Sequence, residues 1–379
     1  MSEYQYIGFL AIDGPVSEKN LEYMRKQSSR AEITEWSFRN TYQYGDFRGD
    51  ALEMLRRGYD VHLHYADYGI TKLMIRLPSG LPNGKLSQKY LLEYGLKFIR
   101  DASGLGGILS IDPFYDGHSV SDLIDPEEML SFLKLLRAEL LDGDLRPLYL
   151  AHLAVAQDSN HGPDETYEAP VPAGLKSLTQ AQQALADFFG LSRPLIEASA
   201  IESPPLPDSS RDKTLAQEED WIRQLPKNLK DTWLLSILRT GSASVRSEML
   251  SQFRCSQGGV VWPTNNPSRT MHQLQELEEQ AARKIEEKAA ATAARLRQER
   301  LAQMASDPAK VLRDIELIVA ERTTDGYRRV AALLCDLREA VAATDQAGLA
   351  EAQALRLKKK YPTRRSLLKE LSSARLFSK

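Results

Sequence analysis

Residues 61–77 read VHLHYADYGITKLMIRL. Apolar and polar side chains alternate over 61–65 and again over 71–77, with turn residues at Asp67 and Gly69 between them. A period of two puts successive side chains on opposite faces of a strand, so the stretch predicts a β-hairpin. On its N-terminal side, Asp50 with Glu53 predicts a capping box that opens a short helix through Leu55, closed by Gly58. Further upstream, residues 31–38 and 40–44 read as strands, and Leu21, Met24 and Arg25 fall at helical spacing. Residues 4–13 (YQYIGFLAID) have the aromatic and β-branched content of a strand. The predicted order is β-α-β-β-α-β-β, and its first six elements match the split βαβ, or ferredoxin-like, pattern. Residues 93–100 and 105–111, around Ser103 and Gly104, predict a second hairpin that extends the sheet. An α+β head over residues 1–115 is the expectation.

Seventeen of the 29 aromatic residues lie in those first 115 positions. Trp36, Phe38, Tyr42 and Tyr44 share one parity, His62 and His64 share a strand face, and so do Lys72 and Arg76. A ferredoxin-like sheet packs its helices on one face and leaves the other open. If the three sets coincide there, aromatics flanked by cations form a surface that stacks unpaired bases. The competing reading is that the helical body covers the face and the aromatics are core; the Gly-aromatic RNA-recognition signature is absent. His62 and His64 supply two ligands toward a metal, but no Cys or acidic cluster offers a third at ligand spacing, so they read as structural. No cofactor is predicted.

Residues 120–256 predict an all-helical body. Asp125-Pro126-Glu127-Glu128 is a helix start with Asp as cap and Pro at the first position. Met129, Phe132, Leu133, Leu136 and Leu140 form its apolar stripe, and Gly143 ends it. Residues 145–156 form the return helix, and a polar loop over 157–172 follows. The Pro-rich stretch 203–208 (SPPLPD) reads as a rigid spacer, with a PxxP-like docking segment as the alternative. Helices this short gain their stability from packing on one another.

From 268 to 305 neither Gly nor Pro occurs, and strong helix formers dominate. Leu274, Leu277, Ala281, Ile285, Ala289, Thr292 and Leu296 form a narrow seam spaced closer to 3.67 than to 3.5 residues. That spacing predicts a protruding or folded-back helix rather than a regular left-handed coiled coil. Residues 307–379 predict a terminal helical module. Its last stretch, 356–379, holds nine basic residues against Glu370 alone, while the whole chain has a net charge of −3. Leu367, Leu368, Leu371 and Leu376 interleave these charges, which predicts an amphipathic basic helix. Lys358, Lys359, Lys360, Arg364, Arg365, Lys369 and Arg375 are its candidate contacts, toward an acidic protein surface, nucleic-acid phosphates, an anionic membrane surface, or the acidic remainder of the chain itself.

Composition sets the outer limits. The chain is 42% hydrophobic and 27% charged, as in ordinary globular proteins. No run of eighteen apolar residues occurs, so no membrane span is predicted. Residues 1–6 carry an acidic residue and no basic one before a short apolar stretch, which does not fit a secretory signal, and the two cysteines, Cys255 and Cys335, build neither a disulfide framework nor a metal cage. A cytoplasmic setting is the expectation. Asp13, Asp46, Asp50 and Asp60 sit at predicted loops and caps, Gly104 and its neighbours lack the Lys-Ser/Thr of a phosphate-binding loop, and Cys255 with His272 has only proximity in sequence. Catalysis is not predicted.

AEITEWSFRNTYQYGDFRGD with GYDVHLHYADYGITKLMIRLP resembles an uncharacterised family of bacterial cytoplasmic proteins, as does LLRAELLDGDLRPLYLAHLAVAQ with APVPAGLKSL and ALADFFGLSRPLIEAS. YRRVAALLCDLREAV with YPTRRSLLKELSSARL is similar to the C-terminal segments of bacterial SWIM zinc-finger proteins. The finger is absent, because two cysteines cannot supply its zinc ligands. The resemblance implies no activity. The expectation is a non-catalytic protein–protein interaction or scaffold protein of a bacterial multi-protein system, engaging its partner through the long helix and basic module. The alternative is an RNA- or single-stranded-DNA-binding protein using the open sheet face and the tail.

Overall fold

The aromatic run near the N-terminus becomes β1 (Gln5–Leu10), buried at every position. α1 (Glu18–Gln27), β2 (Glu32–Ile33), β3 (Ser37–Tyr42) and α2 (Ala51–Arg56) follow. β4 (Val61–Ala66), β5 (Ile70–Leu77), β6 (Leu96–Arg100) and β7 (Gly107–Ile111) complete a seven-stranded sheet. Its order is β2-β3-β1-β4-β5-β7-β6, antiparallel throughout. The computed structural model describes residues 4–377 except 103, 105, 114–123, 159–166, 207–210, 241–244, 246–248, 250–251, 254–255, 257–261 and 267. It divides the chain into two units, Met1–Ala282 and Arg283–Lys379.

Both faces of the sheet are covered. Ile7, Phe9 and Phe38 point one way and form a core with Leu21 and Met24 of α1 and Met54 and Leu55 of α2. Tyr6, Leu10, Leu63, Tyr65 and Leu73 point the other way, into a larger core shared with α3 (Pro126–Leu141), α4 (Arg146–Asp158), α5 (Gln180–Phe188) and α6 (Arg193–Ser199). Gly8 shows how closely α3 lies on β1: a Cβ there would come within 2.5 Å of Leu130 Cδ2. Because the sheet and these helices share one core, the division at 282 puts the expected head and body in a single unit.

Local chemistry explains the elements and their departures from expectation. Asp50 accepts from Glu53 N at 2.9 Å, half of the predicted capping box, while the Glu53 carboxylate turns to Arg57 at 2.8 Å. Asp125 accepts from Glu127 N and Glu128 N, as the helix-start motif requires. The strand predicted over 31–38 is broken. The Thr34 hydroxyl accepts from Trp36 N and Ser37 N, a local turn that competes with the ladder and leaves Trp36 outside the strands. The second hairpin enters the sheet with β7, its later strand, against β5, so β6 becomes the edge.

α7 (Arg211–Gln224) and α8 (Lys227–Thr240) follow the Pro-rich stretch, with the Trp221 and Trp233 rings 6.1 Å apart. β8 (Val171–Pro172) and β9 (Thr264–Asn265) form a small ribbon. α9 (Met271–Ser306) begins on the body, where Leu274 is buried and Leu277 partly so, and is exposed on every side over 286–300.

The second unit is helical. α10 (Pro308–Ala320), α11 (Thr324–Val341), α12 (Leu349–Lys360) and α13 (Arg365–Ser373) surround Ile315, Val319, Val330, Leu334, Leu337, Ala354 and Leu357. Leu367, Leu371 and Leu376 complete this core. The tail expected as one amphipathic helix is therefore two helices, broken around Tyr361-Pro362, with its apolar side already covered.

Candidate functional site

The basic face of α12 and α13 is built by packing that turns the leucines inward and the cations out. Arg365 and Lys369 are four residues apart on α13 and share a face, while Leu367 and Leu371 point into the core. Three of the seven candidate cations are engaged within the unit. Lys358 Nζ lies 4.6 Å from the centre of the Phe377 ring. Lys360 Nζ pairs with Glu316 at 2.6 Å, which draws the Glu316 carboxyl below its ordinary range. Arg364 donates to the Val319 carbonyl at 2.9 Å and stacks 3.9 Å from the centre of the Tyr361 ring. Lys359, Arg365, Lys369 and Arg375 are exposed, with no carboxylate in ion-pair distance among the described residues.

The charge balance isolates this face. Residues 283–355 carry equal numbers of basic and acidic groups, so the excess of the second unit comes from the tail. Tyr361 and Phe377, the aromatics that brace three of these cations, were not among the sequence candidates. The spacing Tyr361-x-x-Arg364 is the signal that could have identified the first. A groove of about 520 Å³ in the same unit is lined by Met304, Val311, Leu317, Ile318 and Leu333 among others, and Leu317 is 69% exposed. No pattern in the chain singled it out.

The stacking face considered from sequence does not form. Its residues do largely coincide, since β1 pairs Phe9 with both Phe38 and His62, and β4 pairs His64 with Lys72. They coincide, however, on the face that α1 and α2 cover. Phe38 is 0% exposed, and His62 is stacked on Phe9 with ring centres 4.0 Å apart. His64 is half-buried, with Nε2 buried and unpaired. Tyr42 is half-buried and donates to Ser28 Oγ, while Trp36 and Tyr44 are exposed beyond the ends of β3. Arg76 is held by Asp60 through Nε at 3.0 Å and a terminal nitrogen at 2.6 Å.

The acidic candidates also carry structural bonds. Asp60 accepts from Ile12 N and Asp13 N besides Arg76, and Asp13 receives both terminal nitrogens of buried Arg137, at 2.8 and 2.6 Å. Asp46 accepts from the Tyr68 hydroxyl. Among the described residues, no group of three or more His, Cys, Asp or Glu is placed to hold a metal ion. Cys255 lies outside the described residues, so its pairing with His272 has no structural counterpart here. No helix is long and apolar enough to cross a membrane among the described residues. No protein-family model, curated protein or solved structure matches the chain.

Proposed function

We propose that this chain is a non-catalytic interaction protein whose basic C-terminal face docks on an acidic surface of a protein partner. The observation that carries the reading is the set of four exposed cations, Lys359, Arg365, Lys369 and Arg375, on a folded surface, with no ion-pair partner among the described residues. The leucines behind them are spent on the unit's own core, so recognition rests on charge and shape rather than on an inserted amphipathic helix. The groove beside Leu317, lined by Met304, Val311, Ile318 and Leu333 as well as by Arg300, Asp307, Lys310 and Asp314, adds a mixed apolar and polar contact in the same unit. The N-terminal unit serves as a second anchor, and a cytoplasmic scaffold within a multi-protein system is the setting this implies.

A finer reading of the head goes with it. β1 lies between β3 and β4, β2 lies outside β3, and all are antiparallel. That order, with α1 and α2 as the intervening helices, supports a ferredoxin-like head extended by β5, β7 and β6. Nucleic-acid binding remains the second reading, now resting on the basic face alone because Phe38 and His62 are core.

The deciding experiment compares the full chain with a K359E/R365E/K369E/R375E variant in co-purification from the native host. The reading requires a protein that is retained by the wild type and lost by the variant. Retention of every partner by the variant refutes it. Saturable oligonucleotide binding that weakens steeply with salt establishes the second reading instead.

A further inference from the structure

A second recess lies on the N-terminal unit, between residues 79–88 and the β6–β7 hairpin. Its volume is about 530 Å³, within the range of small-molecule sites. Lys85 and Arg100 line it, together with Ser79, Gln88, Phe98 and backbone at Gly80, Gly84 and Gly104, and none of the described residues lining it is a carboxylate. Lys85 and Arg100 are both exposed, and neither has an ion-pair partner among the described residues. Two unpaired cations facing one concavity repel each other and favour an anion between them.

The walls are fixed. Asn83, in the left-handed region with φ 55°, donates through Nδ2 to the Gly143 carbonyl at 2.9 Å and accepts from Trp262 N at 3.1 Å. The Ser87 hydroxyl donates to the Pro82 carbonyl. On the opposite wall, a Cβ on Gly106 would meet the Pro78 carbonyl oxygen at 2.5 Å, so the hairpin is pressed against the turn. A recess with such walls does not have to be organised by its ligand.

We propose that this recess binds a small phosphomonoester carrying a flat apolar portion, of the nucleoside monophosphate class. A phosphomonoester has close to two negative charges at neutral pH, matching Lys85 and Arg100, and a guanidinium donates to it in bidentate fashion. Ser79 and Gln88 supply neutral donors, while the half-buried Phe98 ring and Leu81 provide the apolar wall for the base. The site lies on the N-terminal unit, whereas α12 and α13 belong to the second.

The test is calorimetric titration of the full chain with AMP, with inorganic phosphate and with adenosine. AMP is expected to bind with a Kd below about 1 mM and at least about ten-fold more tightly than either fragment. The K85A/R100A variant, altered only at exposed residues, should lose AMP binding by at least about ten-fold with an unchanged melting curve. Phe98→Leu should weaken AMP and leave phosphate unaffected. Absence of saturable AMP binding, or AMP binding that K85A/R100A leaves intact, overturns the proposal. Equal binding of AMP and inorganic phosphate overturns the base-binding half of it.

Discussion

Arg364 donates through a terminal guanidinium nitrogen to the carbonyl oxygen of Val319, 2.9 Å away and 45 positions earlier in the chain. That carbonyl is one of the last in α10, where orphan acceptors and the negative end of the helix dipole favour a cation. The stretch between α12 and α13 is thereby tied to the end of another helix, with Tyr361 stacked under the same guanidinium at 3.9 Å. Arg364→Ala should destabilise the second unit by about 1–2 kcal/mol, since it removes a charge-assisted hydrogen bond and a cation–π contact. Arg364→Lys should recover part of this, because an ammonium cannot both donate to the carbonyl and stack flat on the ring. Urea unfolding of the two variants measures the difference.

The tail has a structural side and a free side, and single substitutions should separate them. Leu367 and Leu371 are fully buried in the core of the second unit. Leu367→Ala should therefore cost about 2–5 kcal/mol. Lys369→Glu, on the exposed face, should change stability by about 0.5 kcal/mol or less. Deleting the last 24 residues would remove Leu367, Leu371 and Leu376 together and unfold the unit, so charge reversal is the cleaner probe of binding. Equal destabilisation by the two point variants in denaturant melts would contradict the buried placement of α13.

How much of this was legible depended on whether the signal was local. The alternation over residues 61–77, the Asp125 cap and the order of the first seven elements are written in neighbouring residues, and the structure contains β4, β5 and α3 where those signals lie. The Thr34 turn was not legible, because a hydroxyl's choice between its own backbone and a ladder is decided by the strand beside it. Parity placed Phe38 with His62 through their faces, yet only tertiary packing shows that α1 and α2 cover that face. The tail carried the same ambiguity: leucines at helical spacing read identically whether their partner is internal or external. Its exposed cations were legible; which of them are spent on Glu316, Val319 and Phe377 was not.

Arg269 and Glu168 form a buried pair that anchors the segment entering α9. Arg269 Nε donates to Glu168 Oε2 at 2.5 Å, and its terminal nitrogens donate to the Ala198 and Ser199 carbonyls at 3.0 and 3.2 Å. Tyr149 donates its hydroxyl to the same carboxylate, and burial holds that hydroxyl well above its ordinary pKa. Removing one partner strands a charge in the core, so Arg269→Ala should cost about 3–5 kcal/mol. Replacing both, as in E168L/R269M, should cost much less than that single change, because no unpaired charge is left. Thermal melts of the two variants make the comparison, and equal losses would refute the pair as the anchor.

The buried histidines make stability depend on pH below neutrality. Burial lowers His62 to about 3, helped by the neighbouring His64, and burial with the nearby Lys72 lowers His64 to about 4. His62 Nδ1 lies 3.0 Å from the Gly8 carbonyl oxygen, which only accepts, so the neutral ring carries its proton on Nδ1. An unfolded chain protonates both rings near pH 6.5, whereas the fold refuses the proton until pH falls to about 4 at His64 and about 3 at His62. The unfolded state thus binds more protons throughout that window, and stability rises with pH. The contribution is complete above about pH 6.5 and is lost progressively as pH drops, by roughly 3 kcal/mol from His62 alone on reaching pH 4. His62→Asn keeps a donor for Gly8 while removing the titration, and should flatten the curve between pH 6.5 and 4. Urea midpoints measured across that range for wild type and variant are the check, and parallel curves would show that His62 is not the group responsible.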